Sequence, residues 1–372
     1  MNCLPFLCTR RCPSASEPIP DSPSFRKFHV YSYNDLKIAT EDFGESNKIG
    51  QGGFGSIYKG KLKNGATVAV KVLSAQSTQG EREFLNEISA IFDIKHQNLV
   101  ELYGCCVDGD TRILVYGYLE NNSLAQVFLG RESSGIEFDW MRRRTIGLGV
   151  ASGLAYLHEE VKPHIVHRDI KASNILLDKD LNPKISDFGL AKLFPDDKTH
   201  ISTRVAGTLG YLAPEYAISG QLTRKADVYS FGVLLLEIVS GGSILYSGVQ
   251  IEEQYLLKRA WELHKAGELL ELIDPKLNGD YPREEAIWFL KVALLCVQEK
   301  PNLRPNMSEV VKMLSDTVND MDVNIRKPGI IPNFMAMKMG RTKKTEVLSQ
   351  SSGHEGSFFS SSTGVTLGSF SS

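Results

Sequence analysis

Residues able to bind or transfer charge gather in a few short stretches of this chain. The first is Gly50-Gln51-Gly52-Gly53-Phe54-Gly55. Glycines let a tight turn bring backbone N–H groups against phosphate oxygens. Alone the spacing is weak, because dinucleotide-binding folds share it. That reading requires a helix next and an acidic residue about twenty positions on. Here a second β-rich run follows instead, and then Val68-Ala69-Val70-Lys71, with a lysine where the acid is required. The dinucleotide reading fails. A cation near Gly-rich backbone points to polyphosphate, with Lys71 reaching the α- and β-phosphates. A lysine at a strand end is commonly only a solvated edge charge, so a partner matters. Glu83 and Glu87 lie on one face of the helix expected there. Glu87 is favoured because it adjoins Ile88 and Ile91, which must face inward.

The second cluster is His167-Arg168-Asp169-Ile170-Lys171-Ala172-Ser173-Asn174, with Asp187-Phe188-Gly189 thirteen residues beyond Asn174. These residues resemble the catalytic loop and magnesium-binding triplet of protein kinases. Ala206-Gly207-Thr208-Leu209-Gly210-Tyr211-Leu212-Ala213-Pro214-Glu215 is similar to the end of a kinase activation segment. Asp227-Val228-Tyr229-Ser230-Phe231-Gly232 resembles the start of the large-lobe central helix, and Arg304 the arginine that pairs with Glu215. The resemblance runs from about Phe43 to Leu314 in unbroken order. It implies an α+β class and a bilobal protein-kinase fold, a small β-rich N-lobe with one regulatory helix and a larger helical C-lobe.

The resemblance also implies the chemistry. Phosphoryl transfer needs positioning and charge neutralisation more than covalent help. Asp169 would orient the acceptor hydroxyl and take its proton. Asn174 and Asp187 offer hard oxygen ligands to Mg²⁺, which keeps few protein ligands beside phosphates and water. Lys171 would stabilise charge on the γ-phosphoryl group; its presence, with Thr208, resembles serine/threonine rather than tyrosine kinases. ATP would be held by Ile49, Gly50, Gln51, Gly52, Gly53, Phe54, Gly55, Ile57, Ala69 and Lys71. The linker Tyr116, Gly117 and Leu119 would pair with adenine through the Gly117 carbonyl and the Leu119 N–H. Two positions depart from the family's habit: Ile57 stands where valine is frequent, and Gly117 where an acid is common. Arg168, beside the base, would seek an anion. Thr199, Ser202 and Thr203 are the candidate phosphate acceptors, whereas Thr208 is expected to pack beside Asp169 and Lys171.

These residues need two kinds of scaffold. Ile57-Tyr58, Val68–Val72, Leu102–Val107 and Ile113–Tyr118 read as short strands, with Asn64-Gly65 as a hairpin turn. A helix is predicted over Glu81–Phe92, and a short one after the capping sequence Ser32-Tyr33-Asn34-Asp35. Beyond Glu120, helical periodicity predicts Thr145–His158, Lys225–Ser240, Gln254–Gly267, Arg283–Glu299 and Ser308–Val318. Residues 1–30 read as a disordered Cys/Pro/Ser-rich arm and 325–372 as a disordered Ser-rich tail. The kinase domain is expected over 43–318, split into 43–120 and 121–318.

Composition excludes some classes. The chain has 372 residues and a net charge of −2, which offers no basic stripe for nucleic acid. Cys3, Cys8, Cys12, Cys105, Cys106 and Cys296 lack metal-ligand spacing and read as reduced thiols. No run approaches the ~18 apolar residues of a membrane helix, and Asn2 stands where myristoylation requires Gly. The expected location is therefore the cytoplasmic side. Cys3, Cys8 and Cys12 flank an apolar patch beside Arg10 and Arg11, which suits palmitoylation and peripheral attachment to the plasma membrane, or else an inert arm. Tyr31–Thr40, Ile113-Leu114-Val115-Tyr116 and Glu252–Leu257 resemble plant receptor-like cytoplasmic kinases, the cold-responsive protein kinase type among them. That resemblance implies protein substrates and an upstream receptor kinase. A pseudokinase, or an ATP-binding interaction module, shares the fold; departures at Lys71, Asp169, Asn174 or Asp187 would favour it, and there are none.

Overall fold

Alternating valines put Val68 and Val70 of the strand Thr67–Leu73 wholly inside the small lobe. In the computed structural model, residues 29–52, 55–73, 78–130, 135–243, 255–316 and 323–331 are described. The valine strand, β4, lies inside a six-stranded sheet with β1 (His29–Val30), β2 (Lys48–Gly52), β3 (Gly55–Lys61), β5 (Leu102–Asp108) and β6 (Thr111–Gly117), in the order β1-β5-β6-β4-β3-β2. The β3–β4 turn is closed at Asn64-Gly65, where Gly65 has φ +85° and the Asn64 side chain accepts from Ala66 N–H.

The sheet reaches further upstream than composition suggests. His29 and Val30, assigned above to the arm, pair in parallel with Gly104 and Cys105 of β5. Gly104 makes this possible, since a Cβ there would lie 1.9 Å from the His29 carbonyl oxygen. The helix α1 (Tyr33–Ala39) follows, capped by Ser32, whose hydroxyl oxygen accepts from Asp35 N–H at 3.0 Å. Its Leu36 is fully buried in a small core with Val68, Val70, Cys106, Ile113 and Val115. The apolar stripe Phe84, Ile88 and Ile91 seats α2 (Thr78–Ile91) on the other sheet face.

The large lobe contains α3 (Leu124–Val127), α4 (Trp140–Ala155), β7 (His164–Val166), β8 (Ile175–Leu177), β9 (Pro183–Ile185), β10 (Lys192–Phe194) and β11 (Ile201–Ser202). After these come α5 (Pro214–Ser219), β12 (Gln221–Leu222), α6 (Arg224–Ser240), α7 (Tyr255–Ala266), α8 (Arg283–Cys296) and α9 (Met307–Ser315). Helix α6 is buried on every face from Ala226 to Val239, which makes it the axis of the lobe. Helix α4 begins five residues before the periodicity predicts. Asp139 caps it, and its run Arg142-Arg143-Arg144 hides a buried Arg143 paired with Asp274 at 2.6 Å. The chain from 323 to 331, composed like a tail, instead packs on this lobe, with Ile325 and Ile331 buried. Residues 1–28 and 332–372 lie outside the described residues, so Cys3, Cys8, Cys12 and most of the tail do too.

Candidate active site

Between the lobes, β2 and β3 pair from Lys48↔Tyr58 to Gly52↔Gly55, with a register shift at Ile49. Gly55 must be glycine. Its φ is +136°, and a Cβ would lie 2.0 Å from the Val72 carbonyl oxygen. Gly50, Gln51 and Gly52 line this hairpin, while Gly53 and Phe54 fall outside the described residues. Ile57 pairs with Lys71, and Ala69 pairs with Tyr116 at the end of β6. Gly117 closes β6, its N–H bonded to the Glu101 carbonyl at 3.1 Å, and Leu119 follows two residues on.

Lys71 Nζ donates to both carboxylate oxygens of Glu87, at 3.1 and 3.0 Å, and to Asp187 Oδ1 at 2.9 Å. Burial alone would lower the pKa of this amine. The two carboxylates outweigh that and raise its pKa, so it stays a cation. One cation between two carboxylates cannot fully satisfy both. Burial raises the Glu87 pKa, whereas at Asp187 burial is outweighed by Lys71 and the carboxyl is held below its ordinary value. The Tyr116 hydroxyl is buried beside Glu87 without a hydrogen bond of ordinary geometry, and desolvation pushes its pKa up. Asp187 itself adopts a left-handed backbone, φ 67° and ψ 73°. Two contacts hold it there. The Phe188 ring meets His167 edge-on at 4.8 Å, and Asn86 of α2 donates to the Gly189 carbonyl at 3.1 Å.

Across the cleft, Asp169 is 5% exposed and both its oxygens are engaged. Thr208 Oγ1 donates to Oδ1 at 2.6 Å, Lys171 Nζ lies 2.8 Å from Oδ2, and Asn174 Nδ2 donates to Oδ2 at 3.1 Å. Lys171 also donates to the Thr208 hydroxyl at 2.8 Å. The loop beneath is fixed from α6. Asp227 accepts from the N–H groups of His167 and Arg168 at 2.7 and 2.8 Å, with His158 Nε2 at 2.9 Å. These contacts overcome its full burial and keep its pKa low. They also sustain Arg168 at φ 73°. The Arg168 guanidinium does not face an anion: Nε donates to the Tyr216 hydroxyl and Nη2 to the Arg204 carbonyl. Thr199 and Ser202 are exposed, and Thr203 N–H donates to the Gly220 carbonyl. Further down, Arg304 holds Glu215 through both carboxylate oxygens, at 2.7 and 2.8 Å.

The donor chemistry fits Mg²⁺ with a polyphosphate. Asn174 uses its NH₂ on Asp169, which leaves its carbonyl oxygen as a hard ligand beside the carboxylate of Asp187. Among the described residues no group of three or more His, Cys, Asp or Glu forms a metal cluster. Two hard protein oxygens suit a cation completed by phosphates and water. His158, Asn86 and the role of Asp227 escape a sequence reading, because each works through a contact that spans long stretches of chain and leaves no local pattern.

Two lobes with these groups facing across their junction define a protein kinase, and the chain belongs to that family: the protein tyrosine and serine/threonine kinase family matches residues 44–314. Cold-responsive protein kinase 1 of Arabidopsis thaliana is 58% identical over 342 residues, covering 91% of this chain and 87% of the relative. A probable LRR receptor-like serine/threonine-protein kinase of the same plant is 58% identical over 286 residues, and another is 56% identical over 284. The matches cover only 28% and 30% of these two receptor-like relatives. The chain is a serine/threonine-protein kinase, and the family implies ATP and protein as substrates, usually with Mg²⁺. Among the described residues no helix is long and apolar enough to cross a membrane.

Proposed function

We propose that Asp169 is the base that serves serine and threonine hydroxyls, and that Lys71 and Lys171 flank the transferred phosphoryl group. The observation that carries this is the pair of constellations on opposite sides of one cleft, Lys71–Glu87–Asp187 and Asp169–Lys171–Thr208. The Thr208 hydroxyl rests on Asp169 as an acceptor hydroxyl would. In the reaction the acceptor oxygen bonds to the γ-phosphorus while the bond to the β-bridging oxygen breaks. ADP leaves with that electron pair, and the acceptor's proton passes to the Asp169 carboxylate. Lys71, held by Glu87, steadies the α- and β-phosphates. Adenine lies against Ile49, Ile57 and Ala69 and pairs with the backbone of Gly117 and Leu119. Mg²⁺ on Asn174 and Asp187 would neutralise phosphate charge.

Activation-segment phosphorylation regulates this site, with Thr203 or Ser202 as the acceptor and Arg168 as the reader. The receptor-like relatives support a place in signalling downstream of a plasma-membrane receptor kinase. The test is transfer of labelled phosphate from ATP to a generic serine/threonine substrate by purified protein. Asp169→Asn should lower kcat by about 10²- to 10⁴-fold, the usual worth of a positioned base, with ATP binding largely kept. Near wild-type transfer by that variant would remove Asp169 from the role. A phosphoproteome that is the same with the active and Asp169→Asn forms would remove the signalling role.

A further inference from the structure

The stretch 323–331 lies beyond the residues that match the kinase family, which end at 314. Even so it touches the part of the site that fixes the activation segment. Gly329 N–H donates to the Val297 carbonyl at 2.9 Å, and its own carbonyl accepts from the buried Tyr229 hydroxyl at 2.6 Å. The Lys327 carbonyl accepts from Glu299 N–H, and Arg326 N–H donates to Gln298 Oε1, each at 3.1 Å. Even a Cβ would be crowded at 329. A Cβ would lie 2.9 Å from Pro214 Cγ and 3.1 Å from Glu299 Cα. The strap therefore runs directly under the proline that starts α5.

Its neighbours are the same groups that Arg304 uses. Arg304 donates to the carbonyls of Gln298 and Glu299, stacks its guanidinium 5.0 Å from the Tyr229 ring centre, and clamps Glu215. Tyr229 thus has one face on the clamp and its hydroxyl on the strap. We infer that residues 323–331 position the end of the activation segment, by fixing Tyr229 and backing Pro214 so that the Arg304–Glu215 clamp holds the floor on which an acceptor protein docks. The inference rests on the kinase reading of the site. It assigns Gly329 and Tyr229 as positioning residues and involves no contact with ATP.

Three proteins separate this role from simple packing: the full chain, a chain lacking 332–372, and a chain lacking 323–372. Removing 332–372 should leave both KM values and kcat within about twofold. Removing 323–372 should raise KM for a peptide acceptor by about fivefold or more, the lower end of ordinary coupling between sites. KM for ATP should hold, and amide exchange at Ala217 and Gly220 should quicken. Adding the nine-residue strap peptide should reverse the peptide-acceptor change. Tyr229→Phe, which keeps the chain whole, should shift the same KM in the same direction. If the shorter chain does not fold, Tyr229→Phe alone decides. An unchanged peptide KM, or an equal rise in both KM values, would overturn the inference. Full-length protein that transfers no phosphate would instead sink the kinase reading, while the exchange rates would still judge the strap.

Discussion

The two sides of the cleft are held by different physics. On the nucleotide side, three charged side chains from three separate elements meet: Lys71 of β4, Glu87 of α2 and Asp187 from the large lobe. Those side chains and one amide, Asn86 of α2 on the Gly189 carbonyl, join them, and one cation against two carboxylates leaves Glu87 short of attraction. On the acceptor side, Asp169 rides on a loop whose backbone N–H groups, those of His167 and Arg168, are gripped by the fully buried Asp227 of α6. Arg304, at 0% side-chain exposure, pins Glu215 to the same base. A cluster that rests on one cation between two carboxylates can be broken by a single change of charge. A loop hydrogen-bonded to the central helix cannot, short of unfolding. The nucleotide side is expected to be the more easily switched of the two.

Replacing one cation on each side should break that comparison in opposite ways. Lys71→Met should lower kcat by at least ~100-fold, as for loss of one preorganised charge at the reacting group. Its melting temperature should fall less than that of Arg304→Met, because Glu87 can take up a proton once Lys71 is gone and only the Asp187 ion pair is lost outright. Arg304→Met should do the reverse in kind. It strands the carbonyls of Gln298, Glu299 and Lys225 and unpairs Glu215. The cost should be roughly 3–5 kcal/mol, as for a broken buried pair, read as a melting temperature lower by about 10 °C. Calorimetry and initial rates on both variants check this; a stable, merely slow Arg304→Met would erase the distinction.

The segment between the two sides should respond less. Arg168 now spends its donors on the Tyr216 hydroxyl and the Arg204 carbonyl. A phosphate on Ser202 or Thr203 carries about −1.5 to −2 charge and binds a guanidinium more strongly than neutral oxygens do. Thr199, Ser202 and Thr203 together replaced by Ala should therefore lower activity by about 5- to 100-fold, within the usual range of coupling free energies. Phosphatase-treated wild type should match the triple variant, and circular dichroism should show the fold retained. If both run at full rate, the acceptor side needs no ordering and Arg168 has no regulatory partner.

Sequence reasoning reached what short spacing encodes. Glycine at 55, the Asn64-Gly65 turn and the inward face of α2 all follow from periodicity or backbone demands. So did the choice of Glu87, because it lies beside the apolar stripe. What it could not reach are places where a polar residue is buried by a distant partner. Periodicity predicts a helix only from Thr145, yet Asp274 lets Arg143 lie inside and the helix starts at Trp140. His29-Val30 and the strap at 323–331 have no pattern of their own, and are held by backbone bonds to β5 and to Val297–Glu299. Arg168 is expected from the sequence to seek an anion, and here a phenol and a carbonyl accept from it instead.

The smallest effect concerns proton uptake at Glu87. Its pKa is raised in the folded protein, chiefly by burial, while Lys71 stays protonated and Asp187 is held below its ordinary value. As pH falls, Glu87 is therefore the first of the three to change charge, somewhere above the ordinary carboxyl range, and Lys71 then loses one of its two anchors. Catalytic efficiency for ATP should drop as pH passes down through that value. The stability linkage has the other sign. A carboxyl with a raised folded pKa binds more protons in the native state, so its contribution is fully present below the unfolded value and lost as pH rises through the folded one. Asp187 runs the opposite way: its contribution is present above its unfolded value and lost only as pH falls through its lower folded one. Glu87→Gln should accordingly cut kcat/KM for ATP by about five- to tenfold near neutral pH, equivalent to roughly 1–1.4 kcal/mol. It should flatten the acid limb of the pH–rate profile and leave the melting temperature near pH 7 equal to or above wild type. An acid limb that survives unchanged in Glu87→Gln would assign it to another group, and the nucleotide side would then be no more switchable than the acceptor side.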